Sequence, residues 1–557
     1  MSHFTPKLWT FIKNGYSKEL LRADGIAGLT VAIIALPLAM AIAIASGTSP
    51  EKGLITAVIG GFFISTFGGS RFQIGGPTGA FIVVVYNVIL NHGYDGLILA
   101  TLIAGFILLI AGYSKLGQVI KYVPYCVITG FTAGIAVIIA SSQVKDFLGL
   151  HLEEAPVNFI LRWQAYFMSW DTLNISAFFV GIAALLVIIV LKKFKPKMPG
   201  YLIAIIICSL LVSLFQIPVE TIGTTFPEMS TGLSMPPLPV WNFEKILSII
   251  PSAFTIAFLA GIESLLSAVV ADGMVGTKHR PNQELVGQGV ANIASSLFGG
   301  IPVTGAIART ATNIKAGGKT PMAGIFHAFF VLLFVLFAIN VMAYIPMAAL
   351  AAILFVVAWS MSEVHHFTHI LRLPSSSRIV MLLTFFLTIF VDLTVAIGVG
   401  VTFASLLFMK NMTQLVDIKS EGRRGENTSE SQLSGDSLGN DALLDDVEVF
   451  RIMGPLFFGV AGDFLDMLKS IGEDPKVFIL RLRLVPYLDA TGTLAIENIV
   501  KHCHEKNIFV ILSGVQEQPK KMLEKTGVII TSNQVFYSPN YKASLKLAKN
   551  LMTKDYN

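Results

Sequence analysis

Apolar residues fill most of the chain from Gly25 to Met409, and the polar positions fall in short clusters between apolar runs. The runs lie at residues 26–45, 53–67, 78–90, 96–111, 119–140, 177–191, 201–215, 249–271, 285–297, 305–314, 323–344, 347–359, 379–391 and 393–409. They predict an all-α polytopic membrane region of fourteen segments, several of them shorter than the ~20 residues of a straight crossing. At Asp417 the pattern changes. Residues 417–446 are polar and rich in Ser, Gly, Asn and acid, which predicts a flexible linker. Short apolar runs at 447–453, 476–482 and 508–513 then read as buried strands, with helical patterns at 460–471, 493–505, 519–526 and 541–551. Alternation of this kind predicts a small α/β domain. The expected organisation is an N-terminal segment at 1–24, a transmembrane region at 25–411, a linker at 412–446 and the α/β domain at 447–557.

Composition supports the membrane reading. Charged residues make up 13% of the chain, against about 25% in an ordinary globular protein, and the mean hydropathy is +0.70. A chain so poor in charge lacks the polar surface that water requires, so lipid covers much of it. The first apolar run is long enough to span, so a membrane span rather than a cleaved signal peptide is expected there. Cys126, Cys208 and Cys503 are too far apart for a metal cluster or a disulfide framework, and no cofactor is expected. The net charge of +5 is modest and predicts no nucleic-acid partner. Its distribution is more telling. With a cytoplasmic N-terminus and alternating spans, the inner turns hold Lys192, Lys193, Lys195, Lys197, Lys278 and Arg280 among others, while the outer loops hold Lys52, Lys145, Arg162 and Lys245. That imbalance follows the positive-inside rule and places the C-terminal domain in the cytoplasm.

Two places share one pattern. Phe67-Gly68-Gly69 precedes Ile74-Gly75-Gly76-Pro77-Thr78-Gly79-Ala80, and Phe298-Gly299-Gly300 precedes Ile301-Pro302-Val303-Thr304-Gly305-Ala306. Paired interruptions in the two halves of a membrane protein point to a midplane site between inverted repeats. Broken backbone at that depth survives only where it lines a cavity or is buried in protein. The short helices that follow aim their N-termini, with free N–H groups and positive dipole ends, at such a site, which suits an anion.

Residues 75–79, the stretch Asn282-Gln283-Glu284-Leu285-Val286-Gly287-Gln288-Gly289-Val290-Ala291-Asn292 and the stretch 299–310 resemble the sulfate permease family, the bacterial branch of the solute carrier 26 anion transporters. The C-terminal domain resembles the STAS domain of that family. The resemblance implies two inverted seven-segment repeats with two half-helices, and a core domain that moves against a gate domain. It also implies a substrate held between segments three and ten, a cytoplasmic STAS domain with a possible partner there, a homodimer, and a bacterial inner membrane location.

The candidate site residues follow. Glu263 lies inside the eighth span, where an ionised carboxylate is expensive and therefore a functional candidate. On taking a proton it would cease to repel an anion, a route to proton–anion symport. The family is acidic at this position; its sodium-coupled bicarbonate carriers have Asp there, and Ile307 stands where a hydroxyl could help bind sodium. Both features speak against sodium coupling. Arg309, one turn into the tenth segment, would attract an anion through a low-dielectric cavity. Gly305, Ala306 and Ile307 would offer backbone N–H groups, with Thr78, Gly79 and Ala80 opposite. Ser267 is one turn beyond Glu263 on the same face. Pro37 is expected to break the first span, and Leu38 stands where the family often has Gln. Asp24, Asp272 and Asp392 sit at segment ends and read as capping or interfacial residues. Asn87, His327 and the His365-His366 pair read as structural or interfacial, and nothing around these histidines has metal-ligand spacing. In Leu488-Asp489-Ala490-Thr491-Gly492 the bland reading is a helix N-cap at Asp489.

These features favour secondary transport of an inorganic anion, sulfate first, with bicarbonate or a dicarboxylate as alternatives and an uncoupled exchanger or channel as another. A nucleobase permease would not need Arg309. A signalling scaffold would not need so many spans, and an enzyme would need a nucleophile–base pair, a phosphate loop or a metal cluster.

Overall fold

Ser17 starts the first long helix. Its hydroxyl accepts a hydrogen bond from the Leu20 N–H at 3.3 Å, one of the donors that a first turn leaves unpaired. The helix Lys18–Ala45 therefore begins well before residue 26, inside the stretch assigned to the N-terminal segment. It also runs through Pro37 without the expected break. Proline removes one backbone donor, but residues 35–43 are all buried, and close packing holds the turns on either side. The computed structural model describes residues 4–13, 15–118, 123–152, 156, 158–195, 198–227, 243–373, 375–391, 393–420, 446–460, 475–526 and 534–553.

Each apolar run overlaps a helix. Among the described residues seven helices are long and apolar enough to cross a membrane: Lys18–Ala45, Gly79–Tyr113, Tyr125–Leu148, Ile175–Phe194, Phe243–Val275, Met347–Leu371 and Val395–Thr413. Gly200–Phe215, Met322–Phe337 and Ser375–Phe390 are apolar but shorter. The runs at 78–90 and 96–111 join at Gly93, whose φ of 70° interrupts the helix and explains the polar gap between them.

Residues 1–402 form one compact unit, and its helices pack in two groups. In the first, Pro281–Leu297 and Phe243–Val275 pack on Ile82–Tyr113, and Met322–Ala338 packs on Lys18–Ala45 and Pro50–Phe67. In the second, Ser375–Phe390 and Met347–Met361 pack on Tyr125–Leu148, with Ile175–Phe194 beside them. Small residues allow the closest approaches. A Cβ on Gly105 would lie 2.8 Å from the Gly289 carbonyl, and one on Gly289 would lie 2.8 Å from the Gly105 carbonyl.

Asp24 and Asp272 lie inside their helices and hold backbone N–H groups of other segments. Fully buried Asp24 accepts the Lys319 N–H at 2.6 Å and the Thr320 N–H at 3.0 Å, and it also takes the hydroxyls of Thr320 and of Tyr16. It thus ties the first helix to the turn that opens the Met322–Ala338 helix. Asp24→Ala strands these donors, at about 1–3 kcal/mol for each buried unsatisfied group. The expected result is a melting temperature in detergent several degrees below wild type, with Asp24→Asn falling between the two. Asp272 accepts the His279 N–H at 2.7 Å and the Thr277 hydroxyl at 2.9 Å. Asp392 lies outside the described residues.

Residues 403–557 form the second unit. Its sheet runs β3 (Asp417–Ser420), β4 (Val447–Met453), β5 (Val477–Leu484), β6 (Phe509–Ser513) and β7 (Val535–Ser538) in that order, with β3 antiparallel to β4 and the rest parallel. Residues 417–420, assigned to the linker from their polarity, are a strand instead. An edge strand needs only one apolar face, so its composition resembles a loop; residues 421–445 lie outside the described residues. The helix Tyr541–Thr553 covers one sheet face over Val447, Val449, Val477 and Ile479, and the helix Ala490–Glu505 covers the other over Phe450, Phe478 and Leu480. Asp489 caps the latter helix, accepting the Gly492 N–H at 2.8 Å. Of the helix expected at 460–471, residues 461–471 lie outside the described residues. The cysteines are free; Cys503 is fully buried, and burial pushes its thiol up to about 12.

Candidate functional site

The two Gly/Pro-broken stretches meet. β1 (Gly75–Gly76) and β2 (Thr304–Gly305) pair antiparallel, with Gly75 opposite Gly305 and Gly76 opposite Thr304. Each strand supplies hydrogen bonds that neither could find in hydrocarbon. The Ala306 N–H donates to the Ile74 carbonyl at 2.9 Å and extends the pairing. Two side chains staple the pair to the Phe243–Val275 helix. Gln73 Nε2 donates to the Ser264 carbonyl at 3.0 Å, and Thr304 Oγ1 donates to the Ala260 carbonyl at 2.9 Å, one turn away.

A helix starts after each strand. The turn Gly79–Phe81 leads into Ile82–Tyr113, and Ala306 precedes the short helix Ile307–Lys315. Neither Thr78 nor Ala306 caps its helix with a side chain. The first N–H groups therefore present the positive ends of two helix dipoles without a side-chain acceptor. Thr78 directs its hydroxyl elsewhere, donating to Glu263 Oε2 at 2.7 Å.

Arg309 is the third residue of its helix. The dipole opposes a cation there, so helix stability does not account for it. Its side chain is 2% exposed, and Nη2 donates to the Pro77 carbonyl at 2.9 Å. Nε and Nη1 are buried without a partner among the described residues. A Cβ on Gly76 would overlap Nη1, so only glycine leaves room for the guanidinium. Buried charged donors left unmet are costly, and an anion held by them would make charge-assisted hydrogen bonds.

These groups border a cavity of ≈ 490 Å³. Thr78, Gly79, Ala80, Glu263, Ala306, Ile307 and Arg309 line it, and Leu38, Phe131, Ile135, Leu259 and Ile262 give it apolar walls. The structure alters the expectation for three residues. Gly305 does not line the cavity, because its strand pairing turns it away; a Cβ there would overlap the Gln73 amide. Ala306 lines the wall, but its N–H is taken by Ile74. Ser267 is buried and does not reach the cavity. Its hydroxyl lies 3.2 Å from Thr310 Oγ1, which accepts the Ile74 N–H at 3.1 Å, so Ser267 steadies the helix against β1. Sequence reasoning passed over Gln73, Thr304 and Thr310 as positioning residues; the available signal was a polar side chain beside each Gly/Pro break. Among the described residues no cluster of His, Cys, Asp and Glu could hold a metal ion.

The profile of the sulfate permease family matches residues 21–384, and that of the STAS domain matches residues 443–538. The chain belongs to the sulfate permease family. It is therefore a multi-pass membrane transporter of anions and not an enzyme. The provisionally named sulfate transporter YvdB of Bacillus subtilis is 40% identical over 92% of this chain and 95% of its own length. The bicarbonate transporter BicA of a Picosynechococcus species is 32% identical over 91% of this chain and 90% of its own length. The solved transmembrane domain of a cyanobacterial BicA superposes with a TM-score of 0.62 at 32% identity, covering 69% of this chain and 99% of that one. The inward-facing structure of mouse Slc26a9 superposes with a TM-score of 0.85, covering 98% of this chain and 94% of that one. At 17% identity, that likeness establishes the fold alone.

Proposed function

We propose that this family member is a secondary active transporter that carries sulfate with protons across a bacterial inner membrane, with both termini cytoplasmic and the protein a homodimer. The observation that carries the reading is Arg309, buried with Nε and Nη1 unpartnered among the described residues, set between two uncapped helix starts at the wall of a cavity. Backbone dipoles and one guanidinium read charge and size, which suits a small oxyanion. Glu263 stands on the same wall, its carboxylate accepting the Thr78 hydroxyl. Ionised, it opposes an anion; protonated, it does not, and this couples the two species. The two helix groups of residues 1–402 serve as the core that carries the site and the gate that it moves against.

Sulfate ranks first because the relative sharing 40% of residues over nearly the whole chain bears that name. The test is uptake of radiolabelled sulfate into proteoliposomes of the full-length protein. An inward proton gradient is expected to raise the initial rate about tenfold or more, the scale of a pH step of one unit or so acting on one coupled proton. A folded protein that takes up no sulfate overturns the substrate and turns the assay to bicarbonate and dicarboxylates; uptake indifferent to the gradient overturns the coupling.

A further inference from the structure

Residues 4–13 lie across the ends of three helices of the first group. The Lys7 N–H donates to the carbonyl of Gly68, the residue after Pro50–Phe67, at 3.1 Å. Arg280, the residue before Pro281–Leu297, donates through Nη1 to the Thr5 carbonyl at 2.6 Å and to Thr10 Oγ1 at 3.2 Å. Phe4 stacks on Tyr113, the last residue of Ile82–Tyr113, with ring centroids 5.7 Å apart. Between these ties the short helix Lys7–Lys13 seats Leu8 in protein and Phe11 under the Arg71 guanidinium, 4.8 Å from the ring centroid.

That seat uses only part of an apolar face. At about 100° per residue, Phe11, Leu8, Ile12 and Trp9 follow one another around the helix, and Lys13 comes next. Phe11 and Leu8 face protein; Ile12 and Trp9 are 53% and 59% exposed. The connection to the first span is fixed, since the Gly15 N–H returns to the Ile12 carbonyl at 3.2 Å and the Tyr16 hydroxyl reaches Asp24. On that span Lys18, Arg22, Ile26 and Leu29, all exposed, make one stripe at helical spacing. The stripe passes from cations to aliphatics between Arg22 and Ile26, a rise of about 6 Å. Such a step marks the headgroup level of a bilayer, where long basic side chains keep their charge in the polar layer. Among the described residues of 4–22, Lys13, Lys18 and Arg22 are exposed cations and Glu19 is the exposed carboxylate. Asp24 is buried and occupied by its backbone donors.

We propose that residues 4–22 form an interfacial anchor for anionic phospholipid, with Ile12 and Trp9 in the upper acyl layer and Lys13, Lys18 and Arg22 on lipid phosphates. Lipid is the occupant because four connecting residues lead from this helix into a lipid-facing stripe, which holds the helix at the surface of the bilayer. Tryptophan suits that layer, having an apolar body and a polar N–H. Anionic headgroups are selected because each basic side chain near a negative membrane surface is attracted to it within about a Debye length. The ties to Gly68, Tyr113 and Arg280 join the bound lipid to the helix group that holds β1 and β2. The anchor does not depend on which anion is carried.

The experiment is tryptophan quenching by brominated lipid in proteoliposomes of the full-length protein. The Trp9 signal is the wild-type emission minus that of Trp9→Phe. In bilayers of one mixed composition, bromine is placed at equal mole fraction on phosphatidylglycerol or on phosphatidylcholine. The former is expected to quench the Trp9 signal about three times as strongly or more. The triple variant Lys13→Gln, Lys18→Gln, Arg22→Gln is expected to lose that preference. Neutralising Lys542, Lys546 and Lys549, three exposed lysines of the helix Tyr541–Thr553, is expected to leave it intact. No quenching by either lipid overturns the proposal, and a blue-shifted Trp9 emission then marks a protein cover such as a second copy of this chain. Equal quenching by the two lipids overturns the choice of anionic headgroups. A preference kept by the triple variant overturns the role of these cations. Absence of sulfate uptake bears on the transport reading alone.

Discussion

Glu263→Gln is expected to abolish proton-driven sulfate uptake, by about tenfold or more, while the protein stays folded and still exchanges sulfate for sulfate. Gln matches Glu in shape, and its carbonyl oxygen still accepts the Thr78 hydroxyl that now lies 2.7 Å from Oε2. What the substitution removes is the ability to take and release a proton. A carboxylate roughly 5 Å from an anion opposes each unit of its negative charge by about 3 kcal/mol at an effective dielectric constant of 20. A group that switches this term on and off couples two ions; an amide holds it permanently off. The expected signature is therefore a split. The response to an inward proton gradient disappears, and exchange without a gradient persists. Initial rates in proteoliposomes with and without the gradient measure both. A mutant that keeps its full gradient response would show that the coupling proton resides elsewhere.

Arg309→Gln is expected to raise the KM for sulfate by roughly 10- to 100-fold, since a hydrogen bond to a charged group contributes about 1.5–3 kcal/mol. The effect falls on binding from either face, because Arg309 sits at the junction of β1, β2 and two helix starts and not at one mouth of the pathway. Arg309→Lys should recover only part of the loss. An ammonium supplies the charge, but the planar guanidinium bonds the Pro77 carbonyl through Nη2 and keeps Nε and Nη1 for another partner. Equilibrium binding of labelled sulfate to detergent-solubilised protein checks this independently of turnover. Unchanged affinity in Arg309→Gln would remove Arg309 from the site.

The residues nearest the Gly/Pro breaks were legible in the sequence because their cost is local. A glycine pair followed by proline cannot continue a helix, an Arg on a first helical turn opposes the dipole, and a Glu in an apolar run is expensive whatever surrounds it. Such residues announce themselves one by one. Gln73, Thr304, Thr310 and Ser267 do not. Each is a common polar residue whose role is set by a carbonyl or hydroxyl brought to it from elsewhere in the chain, such as the Ser264 carbonyl for Gln73. The same holds for Gly305, placed on the site by its motif and turned from it by pairing with Gly75.

What the sequence determined alone was the membrane class, the helical runs, the two broken stretches in corresponding places and the α/β character of the C-terminal part. All of these follow from periodicity and composition, which act over a few turns of chain. Tertiary structure decided the rest. It carried the first helix through Pro37, because burial along residues 35–43 outweighs one lost hydrogen bond. It made a strand of residues 417–420, because a partner edge in β4 satisfies their backbone. It also brought Gly75–Gly76 against Thr304–Gly305, more than two hundred residues apart, and so placed Arg309 and Glu263 on one wall. No local pattern encodes that contact; it exists because two stretches of unpaired backbone, buried away from water, satisfy one another.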